Sequence, residues 1–148
     1  MNAIELLSAD HKKVKDLFEK AEELEGGKQK AIFDQIDKEL QTHSYIEETI
    51  FYPAVQKYDE MKDMVRESLK EHAEVKELLK EIAGLQPDDE EFEEKLEELK
   101  ENVEHHAEEE EEGKMFPKLQ QIMKPAELDQ LGRELQAAKQ KAPKRKAG

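Results

Sequence analysis

The sequence predicts an all-α protein, an antiparallel up-down four-helix bundle followed by a short C-terminal helix and a disordered basic tail. Three observations predict this class. Apolar residues recur at three- and four-residue steps, the period of a helix with one buried face, and no stretch alternates as a strand does. Only 6 glycines and 5 prolines occur in 148 residues, too few for a loop-rich or all-β chain. Charged residues make up 42% of the chain against 36% hydrophobic, as expected when each helix spends one stripe on a core and the rest on solvent.

Four stripes can be followed in order. The first runs through Ile4, Leu7, His11, Val14, Leu17, Ala21 and Leu24 and stops at Gly26-Gly27, a helix terminator. The second runs through Ile32, Ile36, Leu40, His43, Glu47, Ile50 and Ala54, and a short connection around Tyr58–Glu60 follows. The third passes Met61, Val65, Leu69, His72, Val75, Leu79 and Ile82 and ends near Gly84 and Pro87. The fourth passes Phe92, Leu96, Leu99, Val103 and His106, then Met115, Phe116, Leu119 and Ile122. Residues 1–124 are therefore assigned to the bundle. A shorter helix through Leu128, Leu131 and Leu135 occupies 125–138, and residues 139–148 are assigned to the disordered basic tail.

Composition excludes several functions. No cysteine is present, so disulfides, zinc fingers, thiol catalysis and cysteine-held iron–sulfur clusters are out. A formal net charge of −14 argues against nucleic acid as a partner, because phosphate backbones are held by clustered positive charge. The opening MNAIELLSADHKK has no long apolar run, so it reads as neither signal peptide nor membrane span, and a cytoplasmic location is expected.

What interrupts the stripes carries the chemistry. In each of the four, the central core position is histidine: His11, His43, His72 and His106. The chain also repeats. Asp10-His11-Lys12-Lys13-Val14-Lys15-Asp16-Leu17 parallels Glu71-His72-Ala73-Glu74-Val75-Lys76-Glu77-Leu78. His43 leads through Glu47-Glu48 to Phe51-Tyr52-Pro53, as His106 leads through Glu110-Glu111 to Phe116-Pro117. Each half is thus a helix hairpin with one histidine on its first helix and a histidine–acid pair on its second. At about 1.5 Å rise per residue, His11 and His43 both lie roughly 21–23 Å from the turn that joins their helices. The last hairpin matches less well, by about one turn. Glu47, four residues after His43, shares its face.

Burying four imidazoles and two carboxylates without partners would cost several kcal/mol per ion. Cations remove that cost. Six nitrogen and oxygen donors without sulfur exceed what one zinc takes and suit two metals bridged by the acids. Iron is favoured, with manganese and then zinc behind it. The second acid has two candidates. An ideal helix pairs Glu110 with His106 and is slightly favoured, while an extra residue absorbed earlier as a π-bulge brings Glu111 there instead. His105 lies about 100° from His106 and reads as a surface or supporting group. Tyr45 and Tyr52 fall off the His43 face, and the run Glu108–Glu112 reads mostly as a solvated face.

The motifs D-H-x-x-V-K-x-L-F, H-x-x-x-E-E-x-x-x-Y-P, E-H-x-x-V-K-E-L-L and H-H-x-x-E-E-E leading to M-F-P resemble the hemerythrin-like, HHE cation-binding family over about Ala3 to Met123. The resemblance implies a bundle holding two non-haem irons, bridged by carboxylates and an oxo or hydroxo group. It assigns ligand roles to His11, His43, Glu47, His72 and His106, with Glu110 or Glu111 as the remaining acid. Where oxygen-carrying members hold a further histidine, four residues after the third-helix one, this chain has Lys76. One iron then takes water, a tyrosine oxygen or an open position, which argues against reversible oxygen transport. Two functions follow as expectations. One is a cytoplasmic di-iron protein that binds or reduces peroxide, oxygen or nitric oxide, with peroxide-decomposing activity and an electron donor as its partner. The other is an iron- or oxygen-binding, sensing or storage module without turnover.

Overall fold

A computed structural model describes residues 1–142, and among them every regular element is helical. Helix α1 spans Ala3–Glu22 and α2 spans Gly26–Ile46. A π-helical segment, Glu47–Phe51, continues α2 directly into α3, Tyr52–Val55. After a 3-10 turn at Asp59–Met61 comes α4, Lys62–Ala83. Helix α5, Glu90–Glu104, runs through a second π-helical segment, His105–Met115, into α6, Phe116–Ile122. Helix α7 spans Pro125–Lys139. The all-α class read from the sequence is what the structure shows.

Local chemistry sets the boundaries. Asn2 caps α1 by accepting from the Glu5 N–H at 2.9 Å, while the Glu5 carboxylate accepts from the Asn2 N–H at 3.0 Å. Gly26 adopts φ +58°, the left-handed turn that reverses the chain between α1 and α2 without Cβ strain. Asp89 caps α5 through the Glu91 N–H. Pro125 stands in the first turn of α7, where its missing N–H costs nothing.

Neighbouring helices run in opposite senses, as their cross-contacts show. Between α1 and α2, Asp10 meets His43 and Lys13 meets Glu39. Between α4 and the α5 run, Glu81 meets Lys95 and Glu71 meets His106. These pairs place the first turn of α5 beyond the end of α4, which accounts for the one-turn mismatch seen in the sequence. The α5 run also returns along α1, where Lys100 meets Glu22 and Lys15 meets Glu108.

The core is divided. One apolar cluster gathers Leu7, Ile46, Phe51, Val65, Met115 and Leu119. The other gathers Val14, Phe18, Phe33, Leu40, Leu79 and Leu99. The four stripe histidines fall between these two groups on every helix. Leu69, expected in the third stripe, is 41% exposed, and Ser68 takes the buried position in its place. Helix α7 joins the first cluster through Leu128, Leu131, Leu135 and Ala138 rather than standing apart from the bundle. It runs alongside α1 at close range: a Cβ on Gly132 would lie 2.4 Å from the Met1 carbonyl oxygen. The helix extends to Lys139, one residue into the stretch read as tail, and residues 143–148 of that tail lie outside the described residues.

Candidate metal centre

Each stripe histidine presents Nε2 to the interior and Nδ1 to a carboxylate. His11 Nε2 lies 2.9 Å from Glu111 Oε1, and His43 Nε2 lies 3.1 Å from Glu47 Oε1. His72 Nε2 is 3.0 Å from the same Glu47 oxygen, and His106 Nε2 is 3.6 Å from Glu111 Oε2. Glu47 and Glu111 have no solvent exposure. The donors form two sets that share Glu47: His11, His43, Glu47 and Glu111 in one, and Glu47, His72 and His106 in the other. Atoms within each set lie within 4.8 Å of one another.

The residues fit a pair of cations. His43 Nε2 and both oxygens of Glu47 are buried without a hydrogen bond, although other donors stand at ion-pair distance. Buried polar atoms left unpaired are expensive, and cations held by the two donor sets on either side of Glu47 would satisfy them.

Behind the inward donors stands a second ring of acids. His11 Nδ1 meets Glu112 at 2.6 Å, His43 Nδ1 meets Asp10 at 3.0 Å, His72 Nδ1 meets Glu48 at 2.8 Å and His106 Nδ1 meets Glu71 at 2.7 Å. A carboxylate on Nδ1–H fixes the tautomer that leaves Nε2 free to ligate. The arrangement repeats with the sequence. The acid before His11 supports the histidine of α2, and the acid before His72 supports that of the second π segment. The acids after Glu47 and Glu111 support the histidine on the opposite hairpin. The Asp10-His11 and Glu71-His72 repeat and the doubled acids at 47–48 and 111–112 were the signals for this ring. Sequence reasoning had read only their inward members.

Electrostatics follow from burial and charge together. Burial opposes a charged imidazole at His11, His43, His72 and His106, yet the surrounding carboxylates outweigh it and raise all four; His106, next to Glu111, Glu47 and Glu71, is pushed up to about 10. Burial likewise opposes the charged form of Glu47 and Glu111, and the imidazoles hold both below the ordinary carboxylate range. In the metal-free site the acids thus favour the charged form of the imidazoles, and the imidazoles favour the ionised form of the acids.

The register of the second half is corrected. Glu111, not Glu110, faces the interior; Glu110 turns outward to Lys114 at 3.2 Å and His105 at 3.6 Å. The reason is the π geometry that runs from His105 to Met115, in which an acid five residues after His106, not four, returns to its face. The extra residue is spent between His106 and the acid. Counted backward from proline the two halves agree, since Glu47 precedes Pro53, and Glu111 precedes Pro117, by six residues. His105 is a surface residue, 49% exposed in its side chain, that meets Glu71 and Glu109.

Tyr52 was read as off the histidine face, and here the structure differs. Its phenol is buried, donates to Glu111 Oε2 at 2.8 Å and lies 3.2 and 3.3 Å from Nε2 of His72 and His106. In an ideal helix, five residues after Glu47 points about 140° away. The π segment instead joins the Tyr52 N–H to the Glu47 carbonyl and turns the ring inward. Burial and the charges of Glu111 and Glu47 hold this phenol well above its ordinary value. Phe116, its counterpart in the second half, stacks on His11 with ring centres 6.0 Å apart. Lys76 does not enter the site; it pairs with Glu48 at 2.7 Å on the surface.

All four histidines line a small cavity of about 30 Å³, together with Val14, Leu40, Val75, Val103 and Ala107. No helix among the described residues is long and apolar enough to cross a membrane.

Comparison with known proteins agrees with this fold. A crystal structure of a hemerythrin HHE cation-binding domain-containing protein from Mycobacterium kansasii superposes with a TM-score of 0.83 at 26% identity, covering 96% of this chain and 87% of that one. A Nostoc sp. (strain PCC 7120 / SAG 25.82 / UTEX 2576) protein named DNA nickase is 30% identical over 149 residues, all of this chain but 42% of that protein. The chain therefore spans about two fifths of that relative's length. Residues 2–119 match the hemerythrin HHE cation-binding domain, which takes in every histidine and acid of the centre, and the chain belongs to that family.

Proposed function

We propose that this protein holds two non-haem iron ions in the bundle core and there binds or reduces a small oxidant, peroxide, oxygen or nitric oxide. The observation that supports this most is the pair of buried donor sets joined at Glu47, each with two histidines of its own, which offers a place for one cation on either side of that carboxylate. Nitrogen and oxygen donors without sulfur favour iron, with manganese and zinc behind it. Two iron ions held there supply redox chemistry, one electron each.

The chain's own residues provide the rest. His11, His43, His72 and His106 are oriented by their carboxylates, so each Nε2 already faces the interior and has only to give up any proton it holds when a cation arrives. Glu47 and Glu111 bring the negative charge. Apolar clusters on either side keep bulk water out, and the cavity beside the histidines has room for a molecule of diatomic or peroxide size. Tyr52 places a phenolic oxygen beside His72 and His106, on the side where Lys76 leaves one nitrogen donor fewer. Its hydrogen bond to Glu111 holds a proton at the edge of the site. Fewer nitrogens and a harder oxygen donor favour ferric iron and peroxide decomposition over reversible oxygen carriage.

A cytoplasmic protein with an electron donor fits this reading. Nucleic acid and membrane do not, given a net charge of −14 and no apolar helix of spanning length among the described residues. The nicking activity named for the Nostoc relative is left with that longer protein. One observation favours the second reading, an iron- or oxygen-binding, sensing or storage module. Asp10, Glu48, Glu71 and Glu112 are each engaged by a histidine, so none of these four carboxylates stands free as an acid or base for turnover. Anaerobic reduction of iron-loaded protein separates the two. Air should then give no long-lived oxygen adduct, while added peroxide should be consumed with evolution of oxygen. A stable, reversible oxygen spectrum would contradict peroxide chemistry, and inertness to both oxidants would favour storage.

A further inference from the structure

Two of the four supporting carboxylates are shared with a lysine. Asp10 gives one oxygen to His43 Nδ1 at 3.0 Å and the other to the Lys139 ammonium. Glu48 does the same between His72 Nδ1, at 2.8 Å, and Lys76, at 2.7 Å. Among the described residues, Glu71 and Glu112, which support His106 and His11, form no ion pair with lysine; Glu71 faces His105 instead, at 3.3 Å. One histidine of each donor set is thus backed by a carboxylate–lysine pair. Those two histidines, His43 and His72, are also the ones that approach Glu47 Oε1 most closely, at 3.1 and 3.0 Å against 3.9 Å for His106.

We propose that Lys139 and Lys76 tune the two metal positions from outside the ligand set, each by placing an ammonium on the carboxylate that supports a ligand histidine. A carboxylate on Nδ1–H makes an imidazole a stronger donor to a cation. An ammonium on the far oxygen draws that charge away and adds a positive charge facing the cation. Acid and lysine therefore act in opposite directions on the same histidine. Lys139 is the more sheltered of the two, its side chain 24% exposed against 44% for Lys76, so its charge is less screened and its influence is larger. It also lies past the residues matched to the family domain, 2–119, so α7 adds a control that the family match does not include. Position 76 in turn acts through charge on Glu48 and not as a ligand.

The proposal rests on the dinuclear reading, and the test keeps the two apart. The full-length metal-free chain is titrated with Co²⁺ against a chelator of known affinity. Two cobalt ions bound by the unaltered chain support the dinuclear reading, and one or none overturns that reading whatever the lysines do. Asp10→Asn and Glu48→Gln should weaken one of the two positions by about 10- to 100-fold. Lys139→Met should tighten binding by about three- to tenfold, Lys76→Met by less, and Lys139→Arg should match the unaltered protein. Opposite signs at acid and lysine are what mere packing cannot produce. Lys76 lies on the surface, so its variant keeps the bundle even if Lys139→Met loosens α7. Lysine variants that bind both cobalt ions as weakly as the unaltered chain, or more weakly, would overturn the proposal.

Discussion

Exchanging Glu111 for glutamine tests the second half of the site at its most exposed assumption, the helical register. The side chain keeps its volume and loses its charge. One of its oxygens is 2.9 Å from His11 Nε2 and the other accepts from Tyr52 at 2.8 Å, with no solvent to compensate. Hydrogen bonds to charged groups contribute about 1.5–3 kcal/mol each, and an amide keeps roughly half of that for two such contacts. The loss is then about 1.5–3 kcal/mol, roughly 10- to 150-fold in metal affinity. Glu110→Gln removes only a surface contact with Lys114 at 3.2 Å and a longer one with His105. That is worth less than about 1 kcal/mol, under roughly fivefold. Iron retained after dialysis against graded chelator concentrations measures both variants. Equal losses, or a larger loss for Glu110→Gln, would refute the π-helical register and restore the ideal-helix assignment.

Tyr52→Phe should change the visible absorption of the iron-loaded protein and lower the stability of the metal-free form by about 1.5–3 kcal/mol, since it removes the phenol from Glu111; an unchanged spectrum would remove Tyr52 from the centre. Gly132→Ala forces a methyl against the Met1 backbone, and thermal melting should show a loss of about 1–3 kcal/mol from displacement of α7. The metal-free protein carries a pH signature. The raised imidazoles contribute stability fully below their ordinary 6.5 and lose it as pH rises through their folded values, about 10 for His106, whereas Glu47 and Glu111 contribute above 4.5 and lose it as pH falls further. Chemical denaturation should therefore find this contribution largest between pH 4.5 and 6.5, and metal uptake in weak buffer should release protons; uptake without proton release would contradict the upward shift of the imidazoles.

Much of this was legible in the chain because helical periodicity is a strong signal and histidine is a conspicuous interruption of it. His11, His43, His72 and His106 fall on their stripes by simple counting, and Glu47 follows His43 by one turn. Counting failed where the helix is not α. Each π segment rotates everything beyond it, which is why Glu111 displaces Glu110 and why Tyr52 turns inward from a position the ideal helix sends away. The outer acids were hidden for another reason. Asp10, Glu48, Glu71 and Glu112 look like solvated charge on their own helices, and their role appears only when a neighbouring helix brings an Nδ1 to them. Lys139 could not be foreseen at all, because nothing in the sequence says that α7 folds back along α1 far enough to reach Asp10.

The central claim is that this bundle is built around two metal ions, and metal analysis tests it most directly. Protein purified from iron-replete cells, quantified for iron per chain and scanned in the near ultraviolet, should contain two irons per chain with oxo-to-iron charge-transfer bands. One iron per chain, or none, with melting that iron does not raise, would contradict it.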